Sequence, residues 1–263
     1  MPGTERGIIV QERDRQLLAE LAVMRVVDRE QARITGGFHS VTRINTRLLT
    51  LYRAGLLRRF FLGANAGNKK ALYALSTKGA ALLGVPHRGP RRPNDALLVA
   101  DFFVLHQLAI NDVYVALKRA AADSGAVMRW RAFQEPVTNG LRLIPDGYFE
   151  LKTTDCTIAA FVEVDLGHER LAVWKGKISN YIQLAVSGEY ERMFAQKQFR
   201  VLVVLNSGRR LRSVRKAVKA FTQKIFWFTT VDAIHTAGPL AAMWVRPQGD
   251  ETHTLLETNV STP

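Results

Sequence analysis

LRLIPDGYFELKTTDCTIAAFVEVD, residues 141–165, decides the fold of the larger part of the chain. It contains two strand patterns, Leu141–Leu151 and Thr157–Asp165, separated by a short polar turn. A third pattern, Val127–Phe133, precedes them, and before that Ala96–Ala122 reads as one long amphipathic helix. Downstream come helices over Glu169–Ala185 and Glu189–Lys197 and the apolar run Arg200–Leu205, which suits a strand buried on both faces. A basic helix, Arg209–Gln223, and a strand, Ile225–Thr230, complete the order α-β-β-β-α-β. The expectation is an α/β (α+β) domain, a mixed sheet flanked by helices.

The same stretch carries the candidate chemistry. Asp146 follows Pro145 at or near the start of one strand, and the next strand ends on Glu163-Val164-Asp165. Side chains two apart on a strand share a face, so Glu163 and Asp165 project together, beside Asp146 if the strands are neighbours. Three converging carboxylates repel one another unless a hard cation lies between them, which makes Asp146, Glu163 and Asp165 candidate ligands for Mg²⁺ or Mn²⁺. A metal there activates water and steadies charge on a phosphate. Lys175 and Lys177 lie on the following helix; Lys177 is the better catalytic candidate because Trp174, Lys177, Tyr181 and Leu184 fall on one stripe.

Charge locates the partner. The 263 residues carry 37 Lys and Arg against 23 Asp and Glu, a net of +14 with a pI near 10.3. Residues 1–95 hold 17 basic against 7 acidic residues, a net of +10, residues 96–205 are neutral, and no acid occurs between Asn206 and Thr230. A charge of that size predicts a polyanion, nucleic acid or an anionic membrane. With 47% hydrophobic residues the chain is not disordered, and its one cysteine, Cys156, excludes a disulfide scaffold and suits a reducing cytoplasm. No apolar run approaches the ~20 residues that cross a bilayer, and no signal-peptide pattern opens the sequence, so a soluble cytoplasmic protein is expected.

The basic block reads as a winged helix-turn-helix. Arg13–Met24 is amphipathic, Asp28 and Gln31 make a capping-box pattern for a short helix, and Ser40 caps a third with Val41, Ile44, Leu48 and Leu51 at helical spacing. The opposite face of that third helix is Thr42, Arg43, Asn45, Thr46, Arg47 and Thr50, donors and arginines suited to a major groove. Two short strands around a Gly/Asn/Lys loop follow, 56–62 and 71–75, with Lys69 and Lys70 placed for phosphates and Arg58 beside them. Arg209, Arg210 and Arg212 of the late basic helix extend the phosphate-contacting set. The expected organisation is a winged helix over 1–85, a proline-rich linker over 86–95, the α/β domain over 96–247 and a flexible tail over 248–263.

The α-β-β-β-α-β core with Pro145-Asp146 and Glu163 resembles the PD-(D/E)XK nuclease superfamily, although Asp165 stands where its second motif expects lysine. Some members carry that lysine on the following helix, and Lys177 fits the variant. A winged helix, then Leu105-His106, Ile110-Asn111-Asp112-Val113, Pro145-Asp146, Glu163-Val164-Asp165 and Lys177 with Tyr181, resembles the plasmid replication-relaxation family over nearly the whole chain. That resemblance implies a plasmid or mobile-element protein acting on double-stranded DNA during relaxation, replication or transfer. Two expectations follow: a metal-dependent DNA endonuclease or nickase, or a non-catalytic accessory factor whose degenerate nuclease fold docks a relaxase, a replication protein or a second copy as a homodimer. A transcriptional regulator with a sensor domain is a weaker third.

Each residue also has a plainer role. Asp146 with Gly147 can close a turn, Glu163 and Asp165 can pair with Arg170 or Lys177, and Asn111 and Asp112 can serve helix packing as well as an acidic site. His106 reads as a core histidine, His168 as a loop residue and Phe226-Trp227-Phe228 as core. No Gly-x-x-x-x-Gly-Lys-Ser/Thr phosphate loop, clustered His pair or Cys/His metal spacing occurs, which argues against ATP-driven work, a rolling-circle relaxase and zinc. The basic helix around Arg209–Lys219 has too narrow an apolar face to favour a membrane surface.

Overall fold

Three polar side chains set the helix starts in the first part of the chain. Asp28 accepts from the Gln31 amide at 2.8 Å while Gln31 accepts from the Asp28 amide at 3.3 Å, the reciprocal cap expected. Ser40 accepts from Arg43 N and Ser76 from Gly79 N, satisfying first-turn donors that would otherwise lack partners. The computed structural model describes residues 9–63, 69–90, 93–99 and 101–257. Its contacts divide the chain into two units, Met1–Asn111 and Asp112–Pro263. No helix among the described residues is long and apolar enough to cross a membrane.

The first unit runs α1 (Glu12–Met24), β1 (Val27–Asp28), α2 (Arg29–Thr35), α3 (Val41–Arg53), β2 (Leu57–Gly63), β3 (Lys69–Leu75), α4 (Thr77–Leu83) and β4 (Leu97–Val99), then enters α5 (Phe102–Asp123). β2 and β3 form an antiparallel hairpin from Leu57↔Leu75 to Gly63↔Lys69, in a sheet ordered β1-β3-β2-β4. Residues 64–68, the centre of the expected wing, lie outside the described residues. Leu17, Leu18, Leu21, Ile44, Leu48 and Leu51 are buried, as their spacing requires.

The stretch 86–95, expected as a linker, stays with this unit. Arg58 donates to Pro90 O, Arg59 pairs with Asp95 at 2.6 Å, and the Tyr52 hydroxyl donates to Asp95 at 2.8 Å. The open edge of β2 then pairs in parallel with β4, so α5 starts at Phe102 and not at Ala96. An unpaired strand edge leaves backbone donors and acceptors that a third strand satisfies. Two polar residues of α5 serve the same unit: Asn111 donates to Val26 O at 2.6 Å and Gln107 to Asn111, while Gln31 of α2 donates to Leu108 O. Asn111 therefore takes the packing role and not the acidic-site role.

The second unit contains the rest of α5, then β5 (Val127–Arg131), β6 (Gly147–Lys152), β7 (Thr157–Asp165), α6 (Leu171–Val186), α7 (Glu189–Phe194), β8 (Arg200–Leu205), α8 (Gly208–Lys219), β9 (Phe226–Thr230), α9 (Val231–Ala237), β10 (Trp244–Val245) and β11 (Thr252–His253). They build a seven-stranded mixed sheet ordered β11-β10-β9-β8-β7-β6-β5, with β7, β8 and β9 parallel. Strand alternation divides its faces. Phe161, Val201, Val203, Leu205, Phe226 and Phe228 join Trp174, Ile178, Tyr181 and Leu184 of α6 and Val214 and Val218 of α8 in one core, while Phe149, Val162, Leu202 and Val204 are buried on the other face.

The chain beyond Gln248 is fastened as far as residue 257, contrary to the expected flexible tail; residues 258–263 lie outside the described set. Arg200 is 7% exposed, and its guanidinium donates to the carbonyls of Leu255 and Glu257, because a buried cation must find acceptors. Arg215 holds Gly249 O and Asp250.

Arg47 departs from its expected place among the groove-facing residues. Its guanidinium clasps Asp14, whose side chain is 1% exposed, and reaches Ile9 O. Removing one partner of such a pair leaves an uncompensated buried charge, so Arg47→Ala should cost about 3 kcal/mol in urea unfolding. Wild-type stability in that variant would contradict the assignment.

Candidate active site

Asp146 is set by its neighbours on both sides. Pro145 is buried, and Gly147 opens β6 beneath the Trp130 indole, where an added Cβ would lie 2.2 Å from the ring. The Trp130–Tyr114 edge contact, at 5.2 Å between centroids, keeps the indole there. The Asp146 carboxylate accepts the Val164 amide of β7 at 2.7 Å and so ties the start of β6 to the end of β7.

Glu163 is fully buried at the centre of the constellation. One oxygen accepts from Lys177 Nζ at 2.8 Å and the other from the Tyr181 hydroxyl at 2.6 Å, both on the inner face of α6. Lys177 also pairs with Glu169 at 2.7 Å and lies 5.3 Å from the centroid of the Trp174 ring. Burial raises the Glu163 carboxyl to about 7, with Asp146 adding to the rise and Lys177 opposing it. Burial also works against the Lys177 charge, but Glu163, Asp146 and Glu169 outweigh it and hold the ammonium above its ordinary value. Burial, then Glu163, keeps Tyr181 protonated as a donor. Lys175 is exposed, so the stripe of Trp174, Lys177, Tyr181 and Leu184 identifies the facing lysine correctly.

Asp165 shares the face of Glu163, as strand periodicity requires, but its carboxylate is occupied. It accepts from Trp174 Nε1 at 2.7 Å, from Arg210 at 2.6 and 2.9 Å, and from Gly167 N at 2.6 Å. Among the described residues no three Asp, Glu, His or Cys side chains form a group able to hold a metal. The expected ligand set Asp146, Glu163 and Asp165 is thus not gathered as one group: two nitrogens of Arg210 meet a single oxygen of Asp165, which the Trp174 indole also reaches, so that carboxylate already has its counter-charge. Asp146 and Glu163 also spend oxygens within the chain, on Val164 N, Lys177 and Tyr181, while a pair of carboxylates completed by water and substrate phosphate is a donor set that suits Mg²⁺.

The residues expected to contact DNA divide into two groups. Thr42, Arg43, Asn45, Thr46, Lys69, Arg209 and Arg212 are exposed. Arg47 holds Asp14, Arg58 holds Pro90 O and Asn94, Lys70 pairs with Asp28, and Arg210 holds Asp165 and Glu169 O. Asp112 lies 3.5 Å from His235. Sequence reading missed Glu169, Trp174 and Arg210 as members of the site. The parallel pairing Asp165↔Leu205, which no hydrophobic period reveals, places the residues after Leu205 beside those after Asp165.

A carboxyl held above its unfolded value favours the folded state most at low pH. The Glu163 contribution is present below about 4.5 and is lost as pH rises toward about 7. In EDTA across that window the wild type should lose stability with rising pH relative to Glu163→Gln, so that the difference between the two narrows or reverses; equal slopes would refute the shift.

Among solved structures, one titled "Structure of restriction endonuclease FokI" is similar at 11% identity and a TM-score of 0.33, covering 84% of this chain and 42% of that one, a likeness too low to carry an argument. The chain thus spans under half the length of that protein. No curated protein sequence matches. The replication-relaxation family model matches residues 17–202, well over half of the chain. The chain belongs to the replication-relaxation family.

Proposed function

We propose that this is a cytoplasmic DNA-binding protein of a plasmid or mobile element, and that its second unit nicks or cuts double-stranded DNA in a metal-dependent, PD-(D/E)XK-like manner during relaxation, replication or transfer. The observation that carries this reading is the meeting of Asp146, Glu163 and Lys177 from the start of β6, the end of β7 and the inner face of α6. Asp146 and Glu163 would hold Mg²⁺ or Mn²⁺, which when bound supplies a Lewis acid and lowers the pKa of water. Tyr181 fixes one oxygen of Glu163, and the Lys177 ammonium presents positive charge beside the carboxylates, where it can orient a phosphodiester or the attacking water.

The first unit, read as a winged helix, supplies the duplex contacts. Thr42, Arg43, Asn45 and Thr46 form the exposed side of α3 that would enter the major groove, with Lys69 on a phosphate. Arg209 and Arg212 give the second unit its own phosphate contacts.

A second reading rests on one feature. Glu163 has no exposed surface and both its oxygens are bonded within the chain, which suits a core that no longer turns over and instead docks a relaxase, a replication protein or a second copy.

Supercoiled DNA with Mg²⁺ or Mn²⁺ separates the two. Nicking by the wild type, lost in Asp146→Ala and in Lys177→Met with DNA affinity retained, is expected. Absence of nicking with any divalent metal while DNA binding persists would leave the accessory reading. Binding should weaken steeply with salt as counterions are released. Arg43→Ala should cost about 1–3 kcal/mol on the preferred sequence if the side chain reads a base; an equal loss on every sequence would mark a phosphate contact.

A further inference from the structure

Lys177 is held by two carboxylates, and only one of them belongs to the strand constellation. Its Nζ lies 2.8 Å from Glu163 and 2.7 Å from Glu169. An ammonium has three donors, so it can keep one partner while releasing the other. The second oxygen of Glu169 is buried without a hydrogen-bond partner among the described residues, which leaves capacity on that carboxylate.

Glu169 lies in the turn between β7 and α6, and this turn is tied down at three points. The Asp165 carboxylate accepts Gly167 N, Asn206 donates to Leu166 O at 2.6 Å, and Arg210, which places two nitrogens on one oxygen of Asp165, donates to Glu169 O. Asp165 also fixes the Trp174 indole against which the Lys177 ammonium rests.

We propose that Glu169 is a positioning residue for Lys177, fixed by Asp165 through Arg210, so that the ammonium keeps an anionic partner when Glu163 turns to a cation. The proposal rests on reading Asp146 and Glu163 as the cation's ligands. Without Glu169 the ammonium would rest on Glu163 alone and compete with the cation for the same oxygen. Asp165, on this account, serves the site by shaping the turn and never touches the metal.

Calorimetric titration of Mn²⁺ into the full chain tests this with wild type, Glu169→Gln, Lys177→Met and the double variant. Glu169→Gln should weaken binding about tenfold, the usual scale for a partner behind the ligands. In the Lys177→Met background the same change should alter affinity by less than about twofold, because its effect passes through the lysine. An equal loss in both backgrounds would make Glu169 a ligand in its own right, and no loss in either would remove its role; both overturn the proposal. Arg210→Gln should reproduce the Glu169→Gln loss and add nothing when combined with it, and additive losses would break the proposed link from Asp165. If the wild type binds no Mn²⁺, the ligand reading of Asp146 and Glu163 fails separately. The metal-free protein then decides the positioning role: Glu169→Gln and Lys177→Met should shift the urea midpoint non-additively, and additive shifts would overturn it.

Discussion

A carboxylate with no exposed surface has to be compensated inside the protein, and Glu163 is compensated by α6. The Lys177 ammonium and the Tyr181 hydroxyl each take one of its oxygens, and both lie on the helix face that also buries Trp174, Ile178 and Leu184. The polar contact therefore uses the same register as the apolar one: a rotation of α6 that exposed Leu184 would also strip Glu163 of its partners. Site geometry and core packing of the second unit are thus a single constraint.

Most strands and helices of both units were legible because their hydrophobic periods were clean, although the pattern read as a strand over Leu141–Leu151 is strand only from Gly147 to Lys152. Thr157–Asp165 and Arg200–Leu205 are strands over the lengths that the apolar runs indicate, and Asp28, Ser40 and Ser76 cap the helices that follow them. What periodicity did not carry was pairing. Leu97–Val99 looked like the first turn of a helix and is a strand, because the free edge of β2 competes for it through backbone bonds to which the hydrophobic pattern is blind. Residues 249–257 are polar in composition yet packed, since Arg200 and Arg215 recruit their carbonyls and not their side chains.

The site was half legible for a related reason. Asp146, Glu163 and Lys177 stand out as the acid and base types that phosphate chemistry uses, and the structure brings them together. The partners of Asp165 were not legible, because face-sharing along a strand says which side a residue projects to and nothing about what meets it there. Its partners come from α6 and from α8, the latter 45 residues away in sequence. The same limit applies to the arginines: α3 and α8 each present a row of basic residues, and only the acids facing them distinguish Arg47 and Arg210 from Arg43 and Arg212.

The anchoring of Arg200 has a consequence for synthesis. Its carbonyl acceptors, at Leu255 and Glu257, lie 55 and 57 residues further along the chain. A growing polypeptide makes β8 well before it makes those acceptors, so until they arrive the Arg200 guanidinium has only water to receive its hydrogen bonds and cannot be buried at low cost. Closure over Arg200 is therefore coupled to the arrival of residues 255–257. A ribosome stalled ahead of Leu255 would present a nearly whole but imperfectly closed unit, a natural substrate for chaperones and proteases.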